Sequence, residues 1–229
     1  MKVNADFTAP IALRTDDIEW IASPMAGVAR RMLDRIGGEV ARATSIVRYA
    51  PGSAFSQHTH SGGEEFIVLE GVFQDEHGDY PAGTYVRNPI GTHHVPRSDD
   101  GCVIFVKLWQ FDEDDRAQFS RDMNSLKLEP VVGVKGVSQA VLSERANELV
   151  TVQQWDAGTA APIGDTGGAE LLILDGALEF QGETYGRHDW IRLPAGMDAE
   201  AKSGPNGTRI WVKTRHLRKV ASPQSAPSY

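Results

Sequence analysis

Apolar and polar residues alternate along this chain in short runs set off by glycine and proline. ARATSIVRYA (41–50), EEFIVLEG (64–71), GTYVRNP (83–89) and CVIFVKLWQF (102–111) are of strand length and rich in β-branched and aromatic residues. With 23 glycines and 12 prolines falling mostly between such runs, the pattern predicts many short strands joined by tight turns. Helical periodicity is nearly absent. Its best candidate is FDEDDRAQFSRDM (111–123), whose acidic start and later arginines suit a helix dipole.

The strand pattern occurs twice. GGEEFIVLEGVFQDEHGDYPAGTYVRNPIG, from Gly62, aligns with GGAELLILDGALEFQGETYGRHDWIRLPAG, from Gly167, at a constant offset of 105 residues. Gly62, Glu65, Leu69, Gly71, Tyr80, Pro89 and Gly91 fall on Gly167, Glu170, Leu174, Gly176, Tyr185, Pro194 and Gly196. IFVK near residue 104 resembles IWVK near residue 210. Two similar β-rich domains follow. They are expected at 1–120 and 121–220, with a flexible tail at 221–229 that is rich in small residues and proline.

Charge and composition narrow the function classes. The 229 residues carry a net charge of −8 and a pI near 5.4, which argues against a nucleic-acid surface. Hydrophobic residues at 41% allow a real core. Cys102 is the single cysteine, so a disulfide framework or thiolate-rich zinc site is excluded. There is no apolar run of membrane-spanning length and no basic-then-apolar leader in MKVNADFTAPIALRTDD. A cytoplasmic protein without membrane or nucleic-acid partners is expected.

Against this ordinary background one stretch stands out, HTHSGGEEFIVLEG (58–71). Alternate side chains of a strand share a face, so His58 and His60 point the same way. The SGG that follows supplies a turn. Beyond it Glu64, Phe66 and Val68 share one face and Glu65, Ile67 and Leu69 the other. Glu64 is therefore the glutamate more easily brought over the histidine pair. GTHHVP offers a further histidine, His93 or His94, on opposite faces. Three imidazoles and a carboxylate suit zinc, iron, manganese or nickel.

These residues resemble the cupin family. Its first motif, G-x5-H-x-H-x3-E-x6-G, reads as Gly52, His58, His60, Glu64 and Gly71. Its second, G-x5-P-x-G-x2-H, reads as Gly83, Pro89, Gly91 and His94, with Ser98 where the motif ends in asparagine. The resemblance implies an all-β fold of two tandem jelly-roll barrels (double-stranded β-helices) with few short helices. It implies one divalent metal per chain, held by His58, His60, Glu64 and His94. The wording between the motifs is similar to the cupin-like domain of ChrR-type anti-sigma factors, over about residues 25–125. That family implies zinc, and a regulatory role in sensing singlet oxygen and related oxidants. The helical zinc domain with paired cysteines that grips the sigma factor in such proteins has no counterpart here. A regulatory protein partner, a small-molecule ligand in the barrel and a homodimer are the interactions to expect. The alternative is a small-molecule dioxygenase using iron, manganese or nickel.

The 105-residue offset carries the four ligand positions onto Ile163, Asp165, Ala169 and Ala199, so the second domain is expected to be structural. Among other residues, His77 and the acids Asp75, Glu76 and Asp79 read as a polar hairpin, and His93 as a surface residue. Cys102 reads as a buried small hydrophobe. Phe66, Val68, Phe105 and Trp109 are expected to fill the first barrel, and Trp190 and Trp211 to serve the second core.

Overall fold

The structure, a computed structural model, describes residues 1–223. It forms two compact units, one holding Met1–Ala5 and Ile18–Asn124, the other Asp6–Asp17 and Ser125–Val220. The sequence repeat put residues 6–17 with the first half. In the structure the strand Ile11–Leu13 pairs with Trp190–Leu193, and the Thr15 amide donates to Asp189 Oδ1 at 2.9 Å. Those bonds make the segment an edge strand of the second unit. Of the tail expected at 221–229, residues 224–229 lie outside the described residues.

Each unit is an antiparallel jelly-roll barrel. Among the described residues there is no α-helix, only the 3-10 turn Thr15–Asp17. The helix expected over 111–123 does not form. Phe119–Asp122 is a strand against Thr84–Asn88, and the buried Asp115 carboxylate accepts from Arg87 Nη2 at 2.6 Å. Neutralising a buried guanidinium outweighs the weak helix preference of an Asp-rich segment.

In the first barrel the strand Glu64–Asp75 lies between Thr84–Asn88 and Cys102–Leu108. Its inner face buries Phe66, Val68 and Phe73 against Ile104 and Val106. Phe66 and Val68 thus fill the barrel as the alternation requires. Phe105 is buried on the opposite face, paired with Ile67, and Trp109 stands on a cavity wall. Trp190 and Trp211 are fully buried in the second unit.

One irregularity decides what the rest of this strand faces. Ile104 pairs with Val68 but Val103 pairs with Glu70, so Leu69 is an extra residue, a β-bulge. The bulge inverts the alternation. Glu64, Phe66 and Val68 point inward before it, and Phe73 and Asp75 point inward after it. The second barrel repeats the device: Ile210 pairs with Ile173 and Arg209 with Asp175, leaving Leu174 as the extra residue.

The outer face carries buried charge in both barrels. Glu65 accepts from Tyr85 Oη at 2.7 Å and from Arg87 Nη1 at 3.2 Å, and pairs across the sheet with Lys107. Glu170, Arg192 and Lys213 take the same register positions in the second barrel.

Candidate metal centre

The donors come from three short pieces of chain. His58–Thr59 and His93–His94 form a two-stranded ribbon with His94 opposite His58. The His60 amide donates to Thr92 O at 2.8 Å, tying the next residue to the same ribbon. Gly62 and Gly63 then turn the chain into the central strand. A Cβ on Gly62 would lie 2.2 Å from the Trp109 ring, and Gly63 sits at φ +76° where a Cβ would lie 2.4 Å from the Phe111 ring. Only glycine allows this approach, and the turn delivers Glu64 as the first inward-facing residue of its strand.

His58, His60, Glu64 and His94 each offer one donor atom, and these atoms lie within 4.8 Å of one another. Nε2 of His60 and of His94 stand 3.4 and 3.5 Å from the same oxygen, Glu64 Oε1. Both nitrogens are buried without a hydrogen-bond partner. Buried polar atoms are rarely left so, and two of them aimed at one carboxylate oxygen have the arrangement of metal donors. The four residues therefore fit a divalent transition metal.

The other ring nitrogens are already engaged. Thr92 Oγ1 donates its proton to Pro89 O at 2.7 Å, so it accepts from His60 Nδ1 at 2.9 Å. Asp75 Oδ2 accepts from His94 Nδ1 at 3.2 Å. His58 Nδ1 is 3.3 Å from Ser56 O. Each bond fixes a tautomer that leaves Nε2 with its lone pair facing the centre.

Asp75 is the functional residue that sequence reasoning missed. It is buried, accepts from the His77 amide at 2.8 Å and from Tyr80 Oη at 3.2 Å, and belongs to no solvated hairpin tip. Plain alternation from Glu64 turns Asp75 outward; the bulge at Leu69 turns it in. The glycine two residues after that leucine, Gly71, which the structure holds at φ +70°, was the signal available in the sequence.

Electrostatics follow the geometry. Burial pushes the His60 imidazole down, with Glu64 opposing and His94 adding to the shift. Burial also pushes His94 down, but the Asp75 hydrogen bond and the Glu64 carboxylate outweigh it, so His94 titrates above ordinary histidine. Burial raises Asp75, yet its bonds from His94 and the His77 amide hold it below the usual carboxylate range. Burial and the Asp75 charge push Tyr80 up to about 12, keeping its hydroxyl a donor.

The remaining assignments sort by face. His94 is buried and His93 exposed. Glu65 is on the opposite side of its strand, in the Arg87 network. His77 and Asp79 are exposed, while Glu76 caps the Val95 amide at 2.8 Å. In the second barrel, Ile163 and Ala169 are part of the apolar core and Ala199 packs against it. Asp165 accepts from the Gly167 amide at 2.6 Å as a turn former. Carbon takes three of the four donor places there, and the fourth is spent on a turn.

Fold and site together give a jelly-roll barrel with a three-histidine, one-carboxylate donor group, followed here by a second barrel without it. Residues 8–112 match the family model of the ChrR cupin-like domain. No curated protein sequence matches the chain. Among solved structures, it is similar to a candidate dioxygenase from Nostoc punctiforme, at 15% identity and a TM-score of 0.77 over 96% of this chain and 88% of that one. It is similar to the protein Ylba from E. coli, at 15% identity and a TM-score of 0.68, covering 94% of each. A third likeness is to a Lactobacillus farciminis oxalate decarboxylase crystallised with formate, at 11% identity and a TM-score of 0.62 over 93% of this chain and 87% of that one. At such identities these likenesses concern the fold.

Proposed function

We propose that the first barrel is a metal-dependent catalytic centre for a small organic molecule, and that His58, His60, Glu64 and His94 hold the metal. The observation that carries this reading is a cavity of about 510 Å³ whose wall includes all four donors. That volume is in the range of small-molecule sites. A zinc ion serving only structure sits in a closed shell, without room for a ligand beside it. Bound iron, manganese or nickel would supply Lewis acidity or redox chemistry with coordination positions to spare. The chain's own contribution is orientation and dryness. Asp75 and Thr92 hold two imidazoles in place, and Asn88 Nδ2 donates to Glu64 Oε1 at 3.3 Å. Val47, Ile104 and Val106 line the cavity with hydrocarbon.

A second reading, a zinc-binding regulator that responds to oxidants in the cytoplasm through a protein partner, is favoured by the ChrR match. Among the described residues no helix is long and apolar enough to cross a membrane, which is compatible with either reading. Burial raises the Cys102 thiol to about 11, so the one cysteine is a poor sensor and an oxidant response would run through the donor group.

Elemental analysis of protein purified without added metal, followed by oxygen uptake with diketone and thiol substrates, separates the two. Many turnovers per bound iron, manganese or nickel are expected. A zinc protein inert toward the panel, which releases its metal on exposure to singlet oxygen, would overturn the catalytic reading.

A further inference from the structure

The cavity wall holds two cations that the donor group does not use. The strand Val28–Gly37 pairs with Ala41–Tyr49, and its register shifts between Met32 and Asp34, leaving Leu33 as an extra residue. Arg30 and Arg35 are five positions apart and would face opposite ways in a regular strand. The shift inverts the alternation, and both line the cavity.

Their partners differ. The Arg35 guanidinium is satisfied by the turn beside it, donating to Gly38 O and Glu39 O. Burial lowers its pKa and the nearby Arg30 charge lowers it further, so the two cations feel each other. Arg30 Nε is buried with no hydrogen-bond partner. Its strand neighbour on the inner face is Val47, which is hydrocarbon. A guanidinium presents a planar fork of donors that matches a carboxylate. Glu39 and Glu64 are the carboxylates on the wall; Glu39 contributes a charge that steadies Arg35, and Glu64 is turned to the histidines. The remaining wall is largely aromatic and aliphatic, including Tyr49, Phe55, Leu108 and Trp109.

We propose that this cavity takes a small organic carboxylate with an apolar body, anchored through its carboxylate by Arg30 on the wall that also carries the metal-binding residues. The proposal deepens the catalytic reading and rests on it for the role of the ligand, but the anchoring itself belongs to Arg30 and needs no metal. Benzoate and phenylacetate are suitable probes, with benzamide and phenylacetamide as neutral isosteres.

The test is isothermal titration of the full chain, as purified and after metal removal, with metal content measured in parallel. Both carboxylates should bind and both amides should bind at least tenfold more weakly. Arg30→Gln should weaken carboxylate binding about tenfold or more, the scale of a lost charge-assisted pair, and leave metal content unchanged. Arg30→Lys should recover part of the affinity, because it restores charge without the fork. Equal binding of acid and amide, or an Arg30→Gln protein that binds the acids undiminished, would overturn the proposal, as would failure of all four probes to bind. Carboxylate binding in a protein that never takes up metal would defeat the catalytic reading and leave the anchor standing. If Arg30→Gln does not fold, the acid-against-amide comparison on the unmodified chain decides by itself.

Discussion

Single residues decide this site through the direction each one faces. Glu64 over Glu65 was legible, because alternation from Phe66 and Val68 puts the first on the core side. His94 over His93 was not fixed by alternation and came from the motif spacing. Asp75 was hidden because a bulge changes parity without leaving any mark in hydrophobicity. Its bond to His94 Nδ1 leads to a specific expectation. Asp75→Asn should weaken metal binding by about 10- to 100-fold at pH 8, the usual effect of removing an orienting carboxylate. Metal loss on acidification tests the same bond. Metal needs neutral His94, whose pKa is raised, so affinity falls as pH drops through that raised value, starting above the ordinary histidine range. For the metal-free fold the sign is the reverse: protonated His94 contributes stability below its unfolded pKa, and this is lost as pH rises through the folded value. In Asp75→Asn the pH of metal loss should move down, because the group that raises His94 is gone. A titration in which that pH stays put while affinity is unchanged would remove Asp75 from the account.

At the scale of elements, the central strand Glu64–Asp75 does two jobs with its two faces. The inner face meets the donor group; the outer face holds Glu65 against Tyr85 and Arg87. Glu65→Gln should therefore leave metal stoichiometry intact while lowering stability by roughly 3 kcal/mol, as expected when a buried ion pair loses one partner. Urea midpoints and metal analysis on the same preparation check this. Full stability with lost metal would mean the two faces have been exchanged. The strands themselves were visible in the sequence as alternating runs closed by glycine. The helix expected at 111–123 was the failure at this scale, since Asp115 looks like a helix-start acid until Arg87 is known to lie buried beside it. Propensity is a local signal, and the pairing spans 28 residues of chain.

Over the whole molecule the repeat was the most legible feature, down to the equivalent bulges at Leu69 and Leu174. Glycine and leucine positions that set backbone geometry survive in both copies, whereas the donor positions survive in one. The exchange of Asp6–Asp17 into the second unit left no trace in the sequence, because a short apolar edge strand reads the same whichever sheet receives it.

Among the described residues, the first barrel brings together a single donor group and the second none. Metal content per chain, measured on the unmodified protein and on His60→Ala, His94→Ala, His93→Ala and Asp165→Ala, tests this most directly. One equivalent is predicted in the unmodified protein, His93→Ala and Asp165→Ala, with the metal lost in His60→Ala and His94→Ala. Metal retained in His94→Ala but lost in His93→Ala, or a second equivalent that disappears with Asp165, would contradict it.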